Sequence, residues 1–89
     1  MASVKADAKN AYTAVEAYRG DHPGVPPPAE TILSGATGGT YTAARATVGN
    51  TVAIAAGGVV TATHDTAAEL TGSYVIGLGG VATDTLAIP

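Results

Sequence analysis

Ser3 to Arg19 reads SVKADAKNAYTAVEAYR, and it is the only segment of the chain with a clear helical period. Val4, Ala8, Ala11, Val15 and Tyr18 recur at spacings of four and three, which stacks them on one side of a helix. Lys5, Asp7, Lys9, Asn10, Glu16 and Arg19 mostly fall elsewhere. The density of alanine, the best helix former, agrees with the pattern. Two of the five stripe residues are themselves alanine, so the stripe is thin. Such a helix is marginal alone and needs a sheet to lie on. Everything after Gly20 reads as strand or loop. The expectation is an α+β fold: one N-terminal helix on a three- to five-stranded, mostly antiparallel sheet, its connections being too short for parallel crossovers.

The chain has 89 residues, enough for a single domain (1–89) with a modest core. Hydrophobic residues make up 46% of it, but much of that is alanine, and Phe and Trp are absent. A core built from Val, Ile, Leu and four Tyr is barely sufficient by itself, which points to a multimeric setting. Twelve glycines favour tight turns over a helical bundle. The net charge of −3, with only four basic residues, argues against a nucleic-acid partner. No cysteine is present, which removes thiol chemistry. No apolar run approaches the roughly 20 residues of a membrane-crossing helix, and no signal peptide is visible. Met1 and Ala2 precede what looks like the middle of a helix, so the chain reads as a piece of a longer protein.

In chain order, Ser3 is either the helix cap or an interior position of a longer helix. Gly20, Asp21, His22, Pro23 and Gly24 form a strong stop. Residues 1–20 are thus assigned to helix, 21–40 to a connector and 41–89 to the sheet. Val25 to Pro28 should be extended and stiff. Ala29 to Ser34 is expected to make one or two helical turns that bury Ile32 and Leu33. Tyr41 to Val48 is a weakly patterned candidate strand, interrupted by Arg45. Thr51 to Ala56 and Val59 to His64 are strands around a Gly57-Gly58 turn. A two-residue loop would set Ile54 opposite Thr61 and Val52 opposite Thr63, with Val59 on the same face. Asp65 to Gly72 is a polar connector with a possible turn at Thr66 to Leu70. Ser73 to Leu78, with Tyr74, Ile76 and Leu78 on one face, should pair with Val81 to Ile88 across Gly79-Gly80. Leu86 and Ile88 would close the sheet.

The residues offer little chemistry. His22 and His64 each neighbour an aspartate, Asp21 and Asp65, but nothing in the spacing brings the four together, and a metal site needs at least three convergent ligands. Ser3, Ser34 and Ser73 lack a nucleophile setting, and no G-x-S-x-G elbow is present. The Gly77 to Gly80 stretch precedes no helix and no lysine, so it reads as a turn rather than a phosphate cradle. The carboxylates are scattered. The expectation is a non-enzyme with no cofactor and no metal. Tyr12 and Tyr18 lie about 120° apart around the helix, which leaves Tyr18 facing the core and Tyr12 bordering it or facing a partner.

The run Ala8 to Tyr18 (AKNAYTAVEAY), followed by Asp21, His22 and Pro23, resembles the C-terminal half of the long first helix of bacterial, Gram-negative type IV pilins. The downstream layout is similar as well: a connector with Ile32 and Leu33, a strand over Asn50 to Ile54, a hairpin, then Ala62 to His64 before a final hairpin. The resemblance implies a structural subunit of a pilus filament, first held in the inner membrane by an apolar N-terminal helix half that this stretch lacks. It implies other copies of the same subunit and the inner-membrane assembly machinery as partners, and an extracellular, cell-surface location. Adhesion or motility would be the filament's task. The absence of a C-terminal cysteine pair departs from many pilins. In such an assembly the helix side carrying Lys5, Lys9, Tyr12 and Glu16 would meet neighbouring subunits, in a head-to-tail arrangement that does not close. Two alternatives stand beside it. One is a type II secretion pseudopilin, against which Asp84 lacks the carboxylate cluster of a calcium site. The other is a small adhesive or ligand-binding β-domain with a pocket at Tyr41 and Tyr74.

Overall fold

The computed structural model describes residues 2–66 and 68–89, without the side chain of Leu78. Helix α1 (Ala2–Asp21) lies across an antiparallel sheet of five strands in sequence order: β1 (Glu30–Ile32), β2 (Asn50–Ile54), β3 (Val60–His64), β4 (Tyr74–Ile76) and β5 (Ala82–Asp84). The helix packs on β2, β3 and β4. Its buried residues are Val4, Asp7, Ala8, Ala11, Ala14 and Val15. Alanines at three of these positions put little side-chain bulk between helix and sheet. Tyr18 is half-buried and meets Tyr41 edge-on, with ring centroids 5.7 Å apart. The fold class and the antiparallel pairing follow the sequence reading.

The helix ends where glycine and proline demand it. His22 N–H donates to Tyr18 C=O at 2.9 Å, and Pro23 prevents another turn. The extended connector is then pinned to the body of the protein. Pro27 C=O accepts from Gly57 N–H at 2.9 Å, and Pro28 C=O accepts from the Tyr41 hydroxyl at 2.6 Å.

Two segments depart from expectation. Ala29 to Ser34 is not helical. Its centre forms β1 and pairs with β2, Thr31 opposite Ala53 and Ile32 opposite Val52. Two β-branched residues beside an open sheet edge outweigh a weak helical preference. The extended backbone sends neighbouring side chains to opposite sides, so Ile32 is buried and Leu33 is 64% exposed, against the expectation that both are buried. Tyr41 to Val48 is not a strand either. It folds back on residues 35–38 through an isolated bridge between Thr37 and Arg45 and through Gly38 N–H to Ala44 C=O. Tyr41, Ala44 and Ala46 point inward, and the Glu30 carboxylate accepts from the N–H groups of Gly39, Thr40 and Tyr41. The sheet therefore starts inside the segment assigned to the connector.

The central hairpin is shifted by one residue. Ile54 lies opposite Val60 and Val52 opposite Ala62, rather than Thr61 and Thr63. The loop holds three residues, Ala56 to Gly58, closed by Ala55 N–H to Val59 C=O at 2.8 Å. Gly57 and Gly58 both take positive φ, 94° and 101°. The slip moves Val60 and Ala62 into the core with Val52 and Ile54, and leaves Val59 half-exposed. Thr31, Thr51, Ala53, Thr61, Thr63, Val75 and Thr83 alternate with the core-facing positions and form the outer face. β4 and β5 turn at Leu78–Gly80, as the Gly79-Gly80 signal predicts, but both strands are shorter than expected. Leu86 still packs on the core, whereas Ile88 is 75% exposed. Glu69 and Leu70 N–H groups both donate to Thr66 C=O, so a turn is present at 66–70, although Ala67 lies outside the described residues.

Candidate functional site

The helix has two sides, and each defines a candidate region. The outward side exposes Ala6, Lys9, Asn10, Thr13, Glu16 and Ala17. Of the four residues expected to meet a partner, Lys9 and Glu16 sit here, two turns apart on one face. Lys9 makes no ion pair among the described residues, and Glu16 pairs with Arg19 one turn on. The other two turn back onto this chain. Lys5 Nζ lies 2.9 Å from Asp84 on β5. This contact raises the Lys5 ammonium above its ordinary range, chiefly through the hydrogen bond to Asp84. It holds the Asp84 carboxyl below its own range, with the Leu86 N–H assisting. Tyr12 is half-buried beside Gly80, against the turn between β4 and β5.

The inward side carries a feature that the sequence reading missed. Asp7 is 5% exposed, at the heart of the apolar stripe. Its Oδ2 accepts from Thr47 N–H at 2.8 Å and Asn50 Nδ2 at 2.9 Å, and its Oδ1 accepts from the Thr47 hydroxyl at 2.7 Å. Asn50 Nδ2 also reaches Ser3 Oγ at 3.2 Å, and Ser3 lies in the first turn of α1. Asn50 Oδ1 lies 3.0 Å from His64 Nδ1, and His64 Nε2 lies 2.9 Å from Glu69 Oε2. Asp7, Asn50, His64 and Glu69 thus run in series from the helix through β2 and β3 to the segment after β3. One signal for this was present: position 7 falls three after Val4 and four before Ala11, which places an acid inside the stripe. Asn50, Thr47 and Glu69 carried no such signal.

This cluster ties the helix to β2 and β3. Three donors from Thr47 and Asn50 fix the Asp7 carboxylate in place. Among the described residues, no buried side-chain polar atom lacks a partner. A cleft of about 240 Å³ opens beside the cluster, lined by Ser3, Val4, His64, Glu69, Leu70 and Ile88.

His22 and His64 do not converge. His22 stacks on Tyr18 at 4.2 Å, and Asp65 accepts from the Thr51 hydroxyl. Among the described residues, no three His, Asp or Glu side chains are grouped to hold a metal ion. Tyr41 borders a second cleft of about 160 Å³ with Tyr18, His22 and Thr40. Burial pushes the Tyr41 phenol above its ordinary range. Tyr74 is on β4 opposite Ala62, and no described cleft is lined by both tyrosines. Among the described residues, no helix is long and apolar enough to cross a membrane. No protein-family model, curated protein or solved structure significantly matches the chain.

Proposed function

We propose that this chain is the globular part of a type IV pilin, a structural subunit that assembles into a surface filament with further copies of itself. The observation that carries this reading is the division of α1. One face is committed to the sheet, while the opposite face, from Ala6 to Ala17, is exposed, small-sided and marked by one charge of each sign at Lys9 and Glu16. Small side chains let a neighbouring helix approach closely, and the two charges set its register. Asp7, the buried polar side chain of the helix, is satisfied by Thr47 and Asn50 on the inward side, so the outward face can be occupied without disturbing the fold. In this reading inner-membrane machinery assembles the subunits, and the filament serves adhesion or motility outside the cell.

Lys9→Glu tests this directly. Filament assembly by the whole protein should be impaired, while the variant domain keeps its stability to within about 0.5 kcal/mol, as expected for an exposed site. Normal filaments from Lys9→Glu would remove this face from the interface. Lys5 is unsuited to the test because its reversal also breaks the contact with Asp84.

A further inference from the structure

The carboxylates of this chain are almost all occupied. Asp7 accepts from Thr47 and Asn50, Glu30 from the 39–41 backbone, and Asp65 from Thr51. Glu16, Glu69 and Asp84 face Arg19, His64 and Lys5. Asp21, at the C-terminal end of α1, is exposed and has neither an ion pair nor a side-chain hydrogen bond among the described residues. Of the lysines and arginines, Lys5 and Arg19 are paired. Lys9 and Arg45 are exposed and make no ion pair among the described residues. Lys9 and Asp21 lie about 18 Å apart along the axis of one helix, too far to meet within a chain.

Asp21 also lines the cleft of about 160 Å³ whose walls include Ala14, Ala17, Tyr18, Tyr41 and Ala43. An apolar wall with an acid beside it matches a lysine, whose methylenes lie on apolar surface while the ammonium stays wet. The end of the helix adds to the attraction, because its last carbonyl groups carry partial negative charge. Arg19, close by in sequence, is turned away onto Glu16 and the Gly57 carbonyl. The cleft is continuous with the exposed face of α1, since Ala17 belongs to both. Lys9 stands on that face, whereas Arg45 sits on the loop bridged to Thr37. We infer that the cleft beside Asp21 receives the Lys9 side chain of a second copy of this chain. Resting on the filament reading, this pair sets neighbouring parallel helices about 18 Å out of step along their axes. Each copy then offers its own Lys9 onward and its own Asp21 backward, a contact that repeats without closing.

The test is charge exchange in the whole protein, read as filament yield in the sheared surface fraction. Lys9→Glu and Asp21→Lys should each lower the yield by about tenfold or more, since each sets like charges against one another. The double variant restores opposite charges and should recover most of the wild-type yield. Lys9→Glu combined with Glu16→Lys has the same net charge but leaves Asp21 facing an acid, so it should not recover. Positions 9 and 21 are exposed, and a lysine at 21 suits a helix C-terminus, so the two single variants and their double should keep the wild-type melting temperature. Normal filaments from Asp21→Lys, a double variant no better than the worse single one, or equal recovery with Glu16→Lys would overturn the inference and leave the filament reading in place. A wild-type surface fraction without filaments of this protein would overturn both.

Discussion

Asp7 on the helix and Asn50 at the start of β2 are 43 residues apart in the chain, yet their side chains meet at 2.9 Å in a buried contact. This bond fixes where the helix sits along the sheet. Apolar packing alone, with alanines at 8, 11 and 14, would tolerate sliding, whereas a carboxylate with three donors has one position.

Asp7→Ala should therefore cost about 3 kcal/mol, because it leaves the Thr47 N–H and the Asn50 amide without their acceptor. Urea denaturation measures it. Asn50→Ala should be similarly damaging, and the double variant should be less destabilised than the sum by about 1 kcal/mol or more. Additive losses would mean that the two side chains act independently.

Ile32 and Leu33 separate the two accounts of their segment. In a helical turn both would contribute to the core. In β1 only Ile32 does. Ile32→Ala should cost about 2–4 kcal/mol and Leu33→Ala no more than about 0.5 kcal/mol. Comparable losses at both positions would contradict the strand.

The central turn makes a graded prediction. Gly57 and Gly58 share positive φ, so alanine at either is strained by about 1 kcal/mol or more. A Cβ on Gly57 meets nothing within 4 Å, but one on Gly58 would lie 2.8 Å from Val15 Cγ1 on the helix. Gly58→Ala should be the more destabilising of the two in thermal melts, by roughly a further 1–2 kcal/mol for the overpacked contact. Equal effects would show that the turn does not press on α1.

Lys5 and Asp84 give the fold a pH dependence of known sign. The Asp84 carboxyl is held low in the folded protein, so its contribution is complete above the ordinary carboxyl range and is lost as pH falls through its depressed value. The Lys5 ammonium is held high, so its contribution is complete below the ordinary ammonium range and is lost as pH rises beyond it. In Asp84→Asn the Leu86 N–H keeps an acceptor but the ion pair is gone. The gap in melting temperature between wild type and this variant should be present at neutral pH. It should shrink toward zero under strong acid and narrow with added salt. A gap indifferent to both would remove the ion pair as its cause.

Much of the fold was legible in short-range pattern. The spacing of Val4, Ala8, Ala11 and Val15 gave the helix and its buried face, and Gly20 with Pro23 gave its end. Paired glycines at 57–58 and 79–80 gave both turns. What was not legible depends on tertiary contact. Ala29 to Ser34 has weak preferences of its own, and the free edge of β2 decides them. The register of β2 and β3 rests on one residue of loop length, which an Ala-Gly-Gly sequence does not specify. In the candidate site, Lys9 and Glu16 were readable as outward from helical phase alone. The return of Lys5 to Asp84 and of Tyr12 to Gly80 depends on where β5 comes to lie. Asp7 was readable in principle from its phase, but its partners at 47 and 50 come from a segment with no regular pattern.

The filament reading stands on where the protein is found. The direct measurement is immunogold electron microscopy of the sheared surface fraction from the source cells, using an antibody raised against this domain. The account predicts gold along the length of thin filaments, at regular density. A surface fraction whose filaments carry no label, with the protein recovered elsewhere in the cell, would contradict it.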